Sequence, residues 1–169
     1  KRKREKPMRL LDTATVGLIA GQIIGRFGNF FNREAFGGYS DGLLAMQIRM
    51  DEAAYTTQDL LDKAVTVDGV QYIQVQPTFL YESLWNLGVL VIILLYRKHK
   101  KFNGELFMMY LFGYGIGRFI IEQFRTDQLL LPYIGLPVSQ VLSACLSVFA
   151  LIVMIYKRSR LKKALKTDA

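Results

Sequence analysis

Four long apolar stretches separated by polar connections dominate the pattern of this chain. They run over Leu11–Phe31, Thr78–Tyr96, Glu105–Ile121 and Leu136–Tyr156, each about 17–21 residues, the length an α-helix needs to cross a bilayer. The last is the most uniformly apolar, while the first and third are interrupted by glycines and by one arginine each, Arg26 and Arg118. Between the first and second stretches the pattern changes. Asp59–Ala64 reads as a short helix, and Val65 to Tyr72 alternates around Asp68-Gly69, the dipeptide that favours a tight hairpin. The expected fold is an all-α, polytopic membrane helix bundle of four spans. Residues 1–169 form a single membrane domain, and residues 38–76 form a small extracytoplasmic arm with a β-hairpin, inserted between the first and second spans.

Charge placement orients the bundle. Basic residues gather before the first stretch (Lys1 to Arg9), between the second and third (Arg97 to Lys101) and after the fourth (Lys157 to Lys166), sixteen in all. The two remaining connections hold only Arg33, Arg49, Lys63 and Arg125. By the positive-inside rule both termini face the cytoplasm, and the loops 32–77 and 122–135 face outward. The net charge of +8 is thus a topology signal and not a nucleic-acid footprint. The basic tail after Tyr156 reads as a helix end at the anionic inner leaflet. The chain shows no cleavable leader pattern, and its start at Lys1 in place of methionine reads as a fragment of a longer protein.

The chemistry lies where charge enters the apolar stretches. An arginine within a bilayer span costs about 2.5–3.5 kcal/mol on insertion scales, so it faces protein or water and seeks an anionic partner. Tyr114, Arg118 and Glu122 are spaced i, i+4, i+8 and share a helical face. Arg26 and Asn29 lie near the end of the first stretch, with Glu34 just beyond, and Tyr81 and Glu82 lie in the first turns of the second. In the four-span topology all of these sit in the outer half of the membrane. Gly17, Gly21 and Gly25, and likewise Gly113 and Gly117, recur every four residues, a spacing that lets helix backbones approach closely. His99 lies in a cytoplasmic loop away from this cluster, and the lone Cys145 is a packing residue in the fourth stretch. Histidine-based or metal chemistry is therefore not expected. Two arginines at the site argue against a carboxylate magnesium centre, so no metal and no cofactor are assigned.

Three blocks carry a family resemblance. Gly25-Arg26-Phe27-Gly28-Asn29-Phe30-Phe31-Asn32-Arg33-Glu34-Ala35-Phe36-Gly37, Gln76-Pro77-Thr78-Phe79-Leu80-Tyr81-Glu82 and Tyr114-Gly115-Ile116-Gly117-Arg118-Phe119-Ile120-Ile121-Glu122-Gln123-Phe124-Arg125 resemble the motifs of the prolipoprotein diacylglyceryl transferase family. Two departures stand out. A His-Gly-Gly motif and about three upstream spans of that family are missing, and Gln76 stands where many members have histidine.

The resemblance implies an enzyme of the bacterial plasma membrane that moves the diacylglyceryl group of phosphatidylglycerol onto the lipobox cysteine of a prolipoprotein signal peptide. The products are a thioether and glycerol phosphate. Its partners are these two substrates and membrane lipid, with no nucleic acid. It implies catalytic roles for Arg118, Glu122, Tyr114 and Glu82, and substrate-binding roles for Arg26, Asn29, Glu34, Gly37 and Tyr81. Arg118 takes the phosphate and leaving group, Arg26 and Asn29 the headgroup; Tyr114 and Glu122 position Arg118, and Glu34 and Glu82 complete the polar cavity. The competing readings are an anion or lipid transporter fragment that binds without chemistry, and a structural subunit whose arginines only set helix packing.

Overall fold

A computed structural model describes residues 7–167. Helix α1 (Pro7–Phe31) leads into an extended connection, strand β1 (Met46–Arg49), a short helix α2 (Gln58–Asp62), and strands β2 (Val65–Val67) and β3 (Val70–Val75). Helices α3 (Thr78–Tyr96), α4 (Glu105–Ile121) and α5 (Val138–Thr167) complete the chain. All four apolar stretches are helical. Thr78–Tyr96 and Glu105–Ile121 coincide with α3 and α4, whereas α1 starts earlier, at Pro7, and α5 runs on through the basic tail to Thr167. Both extensions have local causes. Proline is preorganised for the first position of a helix, and Lys, Arg, Leu and Ala are good helix formers.

Apolarity is less even than helicity. Among the described residues two helices, Thr78–His99 with its terminal 3₁₀ turn and α5, are long and apolar enough to cross a membrane. The 17-residue α4 is short, and α1 carries Asp12, Gln22, Arg26 and Asn29. The molecule is mainly helical with one small sheet, and the four-span expectation is met in the position of its helices and only in part in their apolarity.

Helix α4 is central, packing on α3 and α5, while α1 packs mainly on α3. One apolar cluster joins Ile19 of α1, Val89 and Ile93 of α3, and Leu106 and Tyr110 of α4; another joins Met108 to Ala150 and Met154 of α5. Outward-facing side chains stay apolar: Ile24 and Leu95 are each 72% exposed, and Ile152 is 59% exposed. Glycines of α4 set the closest approaches. A Cβ on Gly117 would lie 2.1 Å from the Trp85 ring, and one on Gly113 2.9 Å from Val89. Trp85 Nε1 donates to the Gly113 carbonyl at 2.8 Å across this contact. The expectation of close packing fails for α1, because a Cβ at Gly17, Gly21 or Gly25 would meet nothing within 4 Å among the described residues. A four-residue glycine repeat permits an approach but does not supply the opposing helix.

The arm is a three-stranded antiparallel sheet in the order β1-β3-β2. The hairpin expected around Asp68-Gly69 is present, with Val67 opposite Val70 and both turn residues at positive φ, the geometry of a two-residue hairpin turn. Ile48, Ile73 and Val75 bury one face of the sheet over Phe36 and Leu60. The arm is tied down at its base. Gly37 N–H donates to the Gln76 carbonyl and Gln76 N–H to the Gly38 carbonyl, both at 3.0 Å, and the Thr78 hydroxyl donates to the Ala35 carbonyl. It is latched again to the segment after α4: Tyr55 stacks on Phe36, and the Tyr55 and Thr126 hydroxyls both donate to the Phe36 carbonyl.

Candidate functional site

The site forms where the arm-side ends of α1, α3 and α4 meet. Glu82, in the second turn of α3, is 5% exposed and stands between two arginines. Its Oε2 lies 2.6 Å from Arg26 Nε of α1, and its Oε1 lies 2.7 Å from Arg118 Nη1 of α4. Arg118 also reaches back along its own helix, with Nη2 2.8 Å from Glu122 Oε2. Three helices are thereby joined through one carboxylate and two guanidinium groups. The planar guanidinium makes this possible, because its N–H groups fan out in fixed directions and serve two carboxylates at once. Charge balances over these four groups, as a low-dielectric setting demands.

Exposure differs systematically across the cluster. The carboxylate side chains lie behind (Glu82 6%, Glu122 3% exposed), and the arginines lie in front (Arg26 20%, Arg118 14%). The guanidinium groups are therefore the more accessible members of the cluster. Tyr114 borders the crevice between α3 and α4 together with Glu82, Trp85, Asn86, Gly117 and Arg118. Its ring stacks on Tyr110, which accepts a hydrogen bond from Gln22 Nε2 of α1 at 2.8 Å.

The other expected site residues fall outside the ion-pair network. Glu34 lies beyond the end of α1, half-buried, and accepts from Asn32 Nδ2 at 3.1 Å, with neither arginine as its partner. Asn29 and Tyr81 are half-buried on α1 and α3. Gly37 is buried where the arm crosses the chain after α4. A Cβ there would lie 2.8 Å from the Phe124 carbonyl and 2.9 Å from Gln76 Cβ, so this glycine is needed for close backbone approach. It also bridges Arg125 in an antiparallel pair.

Arg125 was not among the expected site residues, yet it belongs to the same locus. Its Nη1 lies 3.9 Å from Glu82 Oε1, while its Nε and Nη2 hold Asp127 at 2.9 and 2.7 Å. Burial pushes the Asp127 carboxyl up, but the hydrogen bonds and charge of Arg125 outweigh it, so Asp127 lies below the usual carboxylate range. Its backbone is extended beyond the end of α4, so helical spacing from Arg118 does not place it; the signal in the sequence was its position at the end of the third motif block.

A second polar cluster lies at the opposite end of the bundle. Asp12 of α1 is 3% exposed and caps α4 from outside: Oδ2 accepts from Gly104 N–H at 2.9 Å, and Oδ1 from Leu106 and Phe107 N–H at 3.0 and 3.2 Å. Lys100 Nζ lies 3.1 Å from the same carboxylate. Next to it, fully buried Glu105 accepts from Arg158 of α5 and from the Tyr96 hydroxyl of α3. This cluster ties helix ends together and shares no residue with the first.

Comparison with known proteins agrees with the motif blocks. The profile of a family described as prolipoprotein diacylglyceryl transferase matches residues 1–156. A relative from Bacillus cytotoxicus named phosphatidylglycerol–prolipoprotein diacylglyceryl transferase is 40% identical over 156 residues, covering 92% of this chain and 53% of the relative. Proteins of the same name from Clostridioides difficile (40% identical; 73% of this chain, 41% of the relative) and Streptococcus uberis (39%; 90% and 53%) are also similar. The chain spans about half the length of the curated relatives it matches. With the profile running through every helix that builds the arginine–carboxylate site, this chain belongs to the prolipoprotein diacylglyceryl transferase family.

Proposed function

We propose that this chain carries the anion-handling part of a phosphatidylglycerol–prolipoprotein diacylglyceryl transferase in the bacterial plasma membrane. The observation that carries the reading is the convergence of Arg26 and Arg118 on buried Glu82, with both guanidinium groups on the accessible side. In this reading all four long helices span the bilayer, both ends of the chain are cytoplasmic, and the site opens to the outer half of the membrane beneath the arm.

The reaction forms a bond between the lipobox cysteine sulfur and the glyceryl carbon of phosphatidylglycerol, and breaks the bond from that carbon to its phosphate oxygen. Glycerol phosphate leaves with the electron pair, and the thiol gives up its proton. Negative charge grows on the departing phosphate, so a preplaced, permanently charged donor is worth most there. Arg118 fills that role, held by Glu82 and Glu122 on two sides. Arg26 takes the phosphate of the bound lipid, with Asn29 and Tyr81 beside the headgroup. The phosphate takes guanidinium N–H groups that Glu82 and Glu122 leave free, so the buried carboxylates keep their partners. Tyr114 lines the crevice next to Arg118. Glu34 and Gly37 act at the rim, Gly37 by letting the arm close over the segment that carries Arg125.

The test is a chimera in which this chain replaces the matched part of the Bacillus cytotoxicus relative, reconstituted in phosphatidylglycerol vesicles with a lipobox peptide. Mass spectrometry is expected to show a diacylglyceryl adduct on the peptide cysteine. Arg118→Lys keeps the charge but loses the planar fork and is expected to lower turnover by about 10²–10³-fold, the range found when a donor to a developing oxyanion is removed. A folded, inserted chimera that gives no adduct overturns the reading. An Arg118→Lys variant within a few-fold of the parent overturns the leaving-group role.

A further inference from the structure

Strand β1 is an edge strand. The sheet order β1-β3-β2 leaves its outer backbone edge without a strand partner among the described residues. A cleft of about 260 Å³ runs beside that edge, lined by all four residues of β1 and bounded across from it by Phe30 and Phe31 of α1, with Arg33 and Glu52 among its other walls. Arg33 and Glu52 pair at 2.8 Å, as do Arg49 and Asp51, so its charges are already compensated and the cleft is not built for a free anion. What it offers is the outward main chain of a short edge strand, with the Arg49 carbonyl already accepting from Ala53 N–H at 3.1 Å and Gln47 left facing the cleft, beside two aromatic rings.

Its position narrows the occupant. Leu43, just before β1, is fully exposed, Leu44 is 56% exposed and Phe31 is 72% exposed. In the four-span reading proposed above, these exposed apolar side chains put the cleft at the boundary between lipid and water. Arg26 lies one turn before Phe30 on α1, about 6 Å along the helix axis. An extended chain covers that distance in about two residues. A polypeptide with one residue held at the Arg26–Glu82 site therefore has the cleft within reach of its next few residues. Exposed edge strands are normally blunted, because they recruit other strands.

We propose that the outer edge of β1 receives the segment that follows the acceptor cysteine of the prolipoprotein, adding it to the sheet as an extended strand. This rests on the transferase reading above and names the part of the enzyme that would hold the protein substrate. Main-chain hydrogen bonds supply the affinity in this mode of recognition, so it accepts varied side chains.

Two measurements on the chimera test it. A photo-crosslinking residue at Gln47 on β1, or at Thr66 on the opposite edge of the sheet, is combined with a lipobox peptide whose cysteine is replaced by serine. Separately, the reactive peptide is N-methylated at one residue at a time after its cysteine. Crosslinks from position 47 alone are expected, mapping just after the acceptor position and competed by unlabelled peptide. N-methylation is expected to raise KM at alternate residues by about fivefold or more, the worth of one lost hydrogen bond, with little effect at the residues between. Equal crosslinking from both positions, or KM changes without alternation, overturns the proposal. If the unmodified peptide is acylated while these signatures are absent, only the β1 proposal falls. If the peptide crosslinks at position 47 but is never acylated, the transferase reading falls and the peptide site stands.

Discussion

At the scale of single residues, the arrangement turns on the difference between a buried charge that is shared and one that is alone. Glu82 serves two arginines from two other helices, so its removal exposes more than one lost contact. Glu82→Gln leaves Arg26 without its carboxylate and Arg118 with only Glu122. Breaking a buried pair from one side costs about 3–5 kcal/mol, and a loss in that range is expected from thermal unfolding of the chain in detergent. Asp127 makes a smaller, pH-dependent contribution. Its carboxyl lies below the usual range in the folded chain, so its stabilisation is full above the unfolded value near pH 4 and is lost as pH falls through the lower folded value. Unfolding followed between pH 5 and pH 2 is expected to show a loss of at most about 1 kcal/mol from this pair, and Asp127→Asn is expected to remove that part of the pH dependence.

At the scale of elements, glycine positions divide by what stands opposite them. Gly113 and Gly117 of α4 lie against Val89 and Trp85 of α3, and Gly115 against Ser147 of α5. Gly117→Ala forces the Trp85 ring to move and strains its hydrogen bond to Gly113, an overpacking cost of about 1–3 kcal/mol. Gly21→Ala on the open face of α1 is expected to leave the isolated chain within about 1 kcal/mol of the parent, or to stabilise it slightly, because alanine is the better helix former. Comparing the two melting temperatures checks both. Helix ends show the same dependence on neighbours. Gly104 at the start of α4 sits at φ 93°, and the carboxylate that satisfies the first turn comes from Asp12, more than ninety residues earlier in the chain. Asp12→Ala orphans three N–H groups and the Lys100 ammonium; it is expected to cost about 1–3 kcal/mol, with faster amide exchange at Gly104, Leu106 and Phe107.

At the scale of the whole molecule, two polar clamps bracket an apolar middle. Asp12 and Arg26 stand fourteen residues apart on α1, about 21 Å along its axis, Asp12 engaging the start of α4 and Arg26 engaging Glu82 of α3. Between them lies the apolar cluster of Ile19, Val89, Ile93, Leu106 and Tyr110. Apolar packing between helices sets neither rotation nor register sharply when lipid is as apolar as the core, whereas directional ion pairs at both ends do. The arm adds a third tie. Its hydrogen bonds at Gly37–Gln76 and Tyr55–Phe36–Thr126 bring the ends of α1, α3 and α4 together over the arginine site. Burial pushes the Tyr55 phenol up, so that latch stays protonated and able to donate at neutral pH.

Read along the chain, the residues themselves determined the helices, the hairpin and the residue types of the site. Apolar runs of membrane length, Asp-Gly between alternating residues, and arginines at helical spacing from glutamates are all local signals. Arg118 and Glu122 could be paired in advance because four residues of helix bring them together wherever the helix lies. Tertiary structure alone decided which charges from different helices meet. It gave Glu82 to both Arg26 and Arg118, left Glu34 to Asn32, and drew in Arg125 through the close approach at Gly37. It also gave the α4 glycines a partner and left those of α1 open, and it recruited Asp12 as a distant cap. Local pattern reports what a segment can do by itself. Pairing across helices depends on their rotation and depth, which are set by contacts between residues far apart in sequence.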